Sequence, residues 1–143
     1  LWCYNNQLTS LDVFGCTSLW VLQCYNNQLT SLDVSGCTSL VGLSCSNNQL
    51  PSLDVSGCAS LGALSCNGNQ LTSLVVSGCT SLQYLYCKYN QISSEIPDWF
   101  SQLEIFEYDQ RYTYSSEYTN GYQDNGYGWW YPGEPEKGYH GRN

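Results

Sequence analysis

The sequence has no methionine, a single histidine and only four lysine or arginine residues in 143. So few cations exclude ordinary nucleic-acid binding, because phosphates are engaged by Lys and Arg side chains that displace counterions. The same shortage excludes docking on an anionic lipid surface. Charge of either sign is scarce, at 11% of residues, and the acidic excess leaves a formal net charge of −8. No apolar run approaches the roughly 20 residues that span a bilayer, so no membrane insertion by this segment is expected. His140 stands alone, without a nucleophile motif beside it, and Glu134 and Glu136 make only a weak glycosidase pair within a Pro/Gly stretch. The expectation is no enzyme and no cofactor. A chain opening at Leu1 reads as a processed or excerpted piece, with any leader or anchor outside it.

What is present is a strict repeat. A hydrophobic fraction of 42% supports a packed core over most of one domain's length. The nine cysteines stand at 3, 16, 24, 37, 45, 58, 66, 79 and 87, spaced alternately by 13 and 8, so the period is 21 residues. Counted from Leu19, one unit reads LWVLQCYNNQLTSLDVSGCTS, and the next units begin at Leu40, Leu61 and Leu82. Residues 1–18 are the same unit without its first three positions. Leu103, Phe106 and Tyr108 restart the pattern.

Apolar residues recur at positions 1, 4, 6, 11, 14, 16 and 19 of each unit, as in Leu19, Leu22, Cys24, Leu29, Leu32, Val34 and Cys37. A segment this short cannot bury seven such side chains by itself, whereas stacked turns cover one another's open faces. The alternation at positions 4 and 6 predicts a short strand, and Leu-Asp-Val at 14 to 16 predicts a second extended stretch on the opposite wall. The result is a flattened, mostly β and loop solenoid of stacked parallel strands with little or no helix.

Position 9 is asparagine throughout: Asn6, Asn27, Asn48, Asn69 and Asn90. An amide there can satisfy backbone groups of adjacent coils that would cost about 1–3 kcal/mol each if buried unpaired. The glutamines at 7, 28, 49, 70 and 91 are read as a second amide ladder along one edge. With Leu40, Leu43, Cys45, Asn48 and Leu50 fitting LxxLxLxxNxL, and the neighbouring units fitting equally, the sequence resembles the leucine-rich repeat family over residues 1–111. The 21-residue form resembles a short bacterial subfamily of surface or secreted proteins. That resemblance implies an extracellular or bacterial cell-surface protein that binds through its strand face. The departures are Val75 for the recurring Asp, Glu95 for Leu and Arg111 for Asn.

The cysteines form two columns, five at position 6 and four at position 19. No C-x-x-C pair is present to hold metal. Strands about 4.8 Å apart bring successive thiols toward disulfide range, but parallel geometry would strain the bond and nine is odd. Cysteine as a small buried hydrophobe is the favoured reading.

Positions 3, 5 and 7 face outward in this scheme. They place Trp2, Tyr4, Gln23 and Tyr25 at one end, Ser44 and Ser65 in the middle, and Tyr84, Tyr86, Lys88, Glu107 and Asp109 at the other end. A small-residue trough between aromatic ends suits a protein or glycan ligand, since rings supply contact area at low entropic cost. Asp12, Asp33 and Asp54 repeat on the opposite wall, where solvated charge resists sheet aggregation. Beyond Ser94 the pattern loosens, and residues 95–143 hold nine acids against three bases. Residues 112–143 read as a Tyr/Gly/Trp-rich segment, with a hairpin turn at Asn120-Gly121. Trp129, Trp130 and Tyr131 there either cap the solenoid or dock on another molecule. At the other end Leu1, Cys3, Leu8 and Leu11 await a neighbour. That neighbour is a further repeat, a cap or another copy, and the last would build a head-to-tail filament.

Overall fold

The computed structural model describes residues 1–92, Leu103 and the backbone of the strand at 105–107. The expected division at residue 111, the C-terminal cap and the hairpin at Asn120-Gly121 lie outside the described residues. Among the described residues there are seven three-residue strands: β1 Val21–Gln23, β2 Gly42–Ser44, β3 Ser52–Asp54, β4 Ala63–Ser65, β5 Ser73–Val75, β6 Tyr84–Tyr86 and β7 Ile105–Glu107. Five of them form one parallel sheet in the order β1-β2-β4-β6-β7, and β3 pairs with β5 on the second wall. Every pairing joins residues one repeat apart: Leu22 to Leu43, Leu43 to Leu64, Leu64 to Leu85, and Leu85 to Phe106. Single bridges extend the walls to the first unit, at Trp2–Gln23 and Asp12–Asp33. The described residues contain no helix, as the pattern predicts.

The core lies between the walls and is made by the seven apolar columns. In the unit at 40–60, Leu40, Leu43, Cys45, Leu50, Leu53, Val55 and Cys58 are all buried, none more than 3% exposed. Each turn is bent at two places by residue type. After the first strand the chain takes a left-handed conformation at Asn5, Asn26 and Asn47, each at φ 54°. Asparagine tolerates that region better than other non-glycine residues. The next unit uses Gly68 there, and the following one uses Tyr89 at φ 58°. At the far end the N–H of Cys16, Cys37, Cys58 and Cys79 donates to the carbonyl of Val13, Val34, Val55 and Val76, closing a four-residue turn. In three of these the third residue is a glycine at positive φ, Gly15, Gly36 and Gly78, as a type II turn requires.

The aspartate column has a local function in these bends. Asp12, Asp33 and Asp54 accept the backbone N–H two residues on, at 3.1, 2.9 and 2.9 Å. They are turn-forming residues as well as solvated charges. The glutamine column needs correction. Its side chains are exposed, and the contact between coils runs through backbone N–H groups such as Gln28 to Leu8 and Gln49 to Leu29, both 2.9 Å. The exposed amide ladder sits two columns earlier, where Asn26 donates to Asn5 at 2.7 Å and Asn47 to Asn26 at 2.9 Å.

Candidate ligand-binding face

The outer surface of the five-stranded sheet is set by which side of each pleat faces away from the core. Leu22, Leu43, Leu64 and Leu85 point inward and are buried. The residues on either side of them form the face. Because neighbouring strands stand about 4.8 Å apart, short side chains in its middle are shaded by those beside them. Ser44, Ala63, Tyr84, Tyr86 and Lys88 are half-buried. Gln23, Tyr25 and Ser65, read from sequence as outward, are nearly covered, at 5%, 7% and 7% exposure. Tyr25 is shielded by Tyr4, the two rings lying parallel with centroids 4.7 Å apart. Ser65 shares a hydrogen bond of 2.8 Å with Ser46.

These residues run across successive coils of the sheet. Trp2 is 62% exposed at one end, beyond the stacked tyrosines. Tyr84, Tyr86 and Lys88 lie on the β6 coil, with β7 beyond it, and the Lys88 N–H donates to the buried Asn67 side chain at 2.7 Å. The depression between them, lined by Gln23, Ser44, Ala63, Ser65 and Tyr86 among others, holds about 30 Å³. Small-molecule sites usually enclose about 300 Å³ or more, so the depression is too small for one. Asp109, Trp129, Trp130 and Tyr131 lie outside the described residues, as do His140, Glu134, Glu136 and the side chain of Glu107.

The asparagines of position 9 lock the turn that carries the face. Asn27 donates to the carbonyls of Cys3 and Cys24, Asn48 to those of Cys24 and Cys45, Asn69 to those of Cys45 and Cys66, and Asn90 to those of Cys66 and Cys87, all at 2.9–3.1 Å. Their oxygens accept the N–H of Leu8, Leu29, Leu50 and Leu71. Asn6 donates to the carbonyls of Cys3 and Tyr4 within its own turn.

All nine cysteines are free thiols, seven of them buried, with Cys16 exposed and Cys3 half-buried. Burial pushes the Cys45 thiol up to about 12 and is the main cause that lifts Cys79 to about 11. Burial likewise raises Cys24 and Cys66, with neighbouring thiols of the column adding to it. Such thiols are poor nucleophiles and poor metal ligands. The described residues hold no group of three or more His, Cys, Asp or Glu placed to take a metal ion, and no helix long and apolar enough to cross a membrane.

The sequence pattern missed the Asn5–Asn26–Asn47 ladder, although Gly68 in that column was a signal for left-handed backbone. A leucine-rich repeat family model matches residues 81–103. No curated protein sequence matches the chain. Among solved structures the chain is similar to the functional domain of InlJ from Listeria monocytogenes, which includes a cysteine ladder. Identity is 39%, the TM-score is 0.67, and the match covers 72% of this chain but 23% of that one. In-register units, a sheet stepping by one repeat, buried cysteine columns and this likeness place the chain in the leucine-rich repeat family, in a cysteine-laddered form shared with a bacterial protein.

Proposed function

We propose that the chain is a non-enzymatic interaction module, working outside the cell or on a bacterial surface, that binds a protein or glycan through the outer face of its five-stranded sheet. The observation that carries this reading is the form of that face. It has small residues, Ser44, Ala63 and Ser65, between Trp2 and Tyr4 on the first coil and Tyr84, Tyr86 and Lys88 on the β6 coil. A flat, rigid floor costs little entropy to bury, and the aromatic ends supply the anchoring area. A shallow depression of about 30 Å³ favours a macromolecular surface over a small metabolite. Probing protein and glycan arrays with the labelled chain tests it. Ligands retained by the wild type should be lost by Trp2→Ala and Tyr86→Ala, and arrays that retain wild type and variants alike would end the proposal.

A competing reading is self-association into a head-to-tail filament. It is favoured by exposed apolar side chains within the first 20 residues, where Leu1, Trp2, Phe14 and Trp20 are each more than half exposed. Size-exclusion chromatography separates the two. A discrete monomer supports the binding module, and concentration-dependent fibres support the filament.

A further inference from the structure

One polar side chain of the sheet face is covered and unpaired. Gln23 lies between Leu22 and Cys24, both turned into the core, so its carboxamide is on the outer side. It is 5% exposed, yet among the described residues no hydrogen bond reaches that carboxamide. The Gln23 backbone does have partners, its N–H donating to the Leu1 carbonyl and its carbonyl accepting the Cys3 N–H, both at 2.9 Å. Other covered polar side chains here are paired too. Ser46 and Ser65 bond each other at 2.8 Å, and Asn67 accepts the Lys88 N–H at 2.7 Å. An amide shut from water without a partner costs stability, and native proteins rarely keep one to no purpose.

Its place in the sheet says what pairs with it. The register aligns Trp2, Gln23, Ser44, Ser65 and Tyr86 in one row across successive coils, each paired with the next. Gln23 lines the shallow depression on this row together with Ser44, Ala63, Ser65 and Tyr86. On one side of it stands Trp2, exposed and able to change rotamer, and on the other Ser44, too short to close over it. Strands about 4.8 Å apart put Tyr86 roughly 14 Å from Gln23, the length of about four residues of extended chain. A carboxamide carries donors and an acceptor in one plane. An extended main chain turns the N–H and C=O of one residue to the same side, so the two match bond for bond. A sugar ring fits less well. It brings several hydroxyls, and around Gln23 the depression offers Val21, Gly42 and Ala63, which leave them unpaired.

We propose that Gln23 is the recognition point of this face, and that it takes the main chain of an extended polypeptide running across the strands from Trp2 to Tyr86. The proposal rests on the sheet face being the binding surface and narrows its ligand to protein. Small residues at Gly42, Ser44 and Ala63 let a backbone approach closely. Ligand side chains pack on Trp2 and Tyr86, and the two-bond match at Gln23 fixes the register of the peptide.

The test pans a phage-displayed library of random dodecapeptides on the whole 143-residue chain, then measures the best synthetic peptide by anisotropy. Gln23→Met keeps the length of the side chain and removes the amide. It should weaken that peptide about tenfold or more, and leave the thermal midpoint of the free chain unchanged or higher, since no bond inside the fold is lost. Methylating the peptide's backbone nitrogens one at a time should find one position that weakens binding to the wild type about tenfold and binding to Gln23→Met hardly at all. Equal effects on both proteins at every position overturn the proposal, as does a library from which nothing is retained. A peptide lost by Tyr86→Ala but held by Gln23→Met also overturns it, and leaves the sheet face standing as the binding surface. A peptide held by both variants removes the sheet face as well. Glycans retained in place of peptides, and lost by Gln23→Met, make the ligand a sugar and overturn the polypeptide. A lowered midpoint or failed folding of Gln23→Met overturns the premise that the amide is unpaired.

Discussion

The amide nitrogen of Asn48 donates to the carbonyl of Cys24, one turn back, at 3.1 Å. The same nitrogen holds the Cys45 carbonyl of its own turn at 3.0 Å, and the Asn48 oxygen accepts the Leu29 N–H at 2.9 Å. One side chain, 7% exposed, thus closes three buried backbone groups belonging to two coils. The repeat can turn tightly inside a dry core because the amide replaces the water those groups would otherwise need.

Asn48→Ala leaves those groups without partners. Stability should fall by about 1–3 kcal/mol, read as a lower urea midpoint. Asn6→Ala should cost less, because its bonds reach only its own exposed turn. An unchanged midpoint for Asn48→Ala would sink the account of the ladder.

Glycine is needed at Gly36 and not at Gly57. Gly36 stands at φ 79° with Gly15 Cα 2.9 Å from the site of an added methyl. Gly36→Ala should therefore destabilise by at least about 1–2 kcal/mol. Gly57 has open space and no positive φ, so Gly57→Ala should be neutral or slightly stabilising in the same melt.

Tyr89 holds a left-handed backbone at φ 58° while its side chain is 64% exposed. An aromatic residue is strained there, and asparagine occupies the same place in three other turns. Tyr89→Asn should raise stability by about 1 kcal/mol, seen as a higher thermal midpoint.

The buried thiols make stability fall in alkali. The folded pKa values of Cys24, Cys37, Cys45, Cys58, Cys66 and Cys79 lie above the ordinary value of 9.0, with Cys45 at about 12. Below pH 9 both folded and unfolded forms keep the proton and the midpoint should be flat. Between about 9 and 12 the unfolded chain loses protons that the fold retains, so the midpoint should drop as pH rises. Thiol titration at neutral pH without reductant complements this. Cys16 and Cys3 should react in the native protein, and all nine thiols should react after denaturation.

Much of this molecule could be read from spacing. A period of 21 with apolar residues at fixed columns leaves one way to bury Leu22, Leu43, Leu64 and Leu85 together, so the solenoid and its register were legible. The face was legible only in part. Alternation tells which way a residue points, but not how far its neighbours cover it, and so Gln23, Tyr25 and Ser65 are less accessible than their positions promised. The glutamine column misled for a related reason: the amide ladder needed a backbone bend that brings side chains together across turns, and that bend falls at Asn5, Asn26 and Asn47.

Repetition in the chain dictated the stacking of coils, since apolar columns that none could hide alone must be pooled. The break in the second wall near Pro51, where no backbone hydrogen bond joins 30–36 to 51–57 among the described residues, was left to the folded state. Whether neighbouring coils bond there depends on contacts between residues a full turn away, where the Cys58 thiol stands 3.8 Å from the Val34 carbonyl.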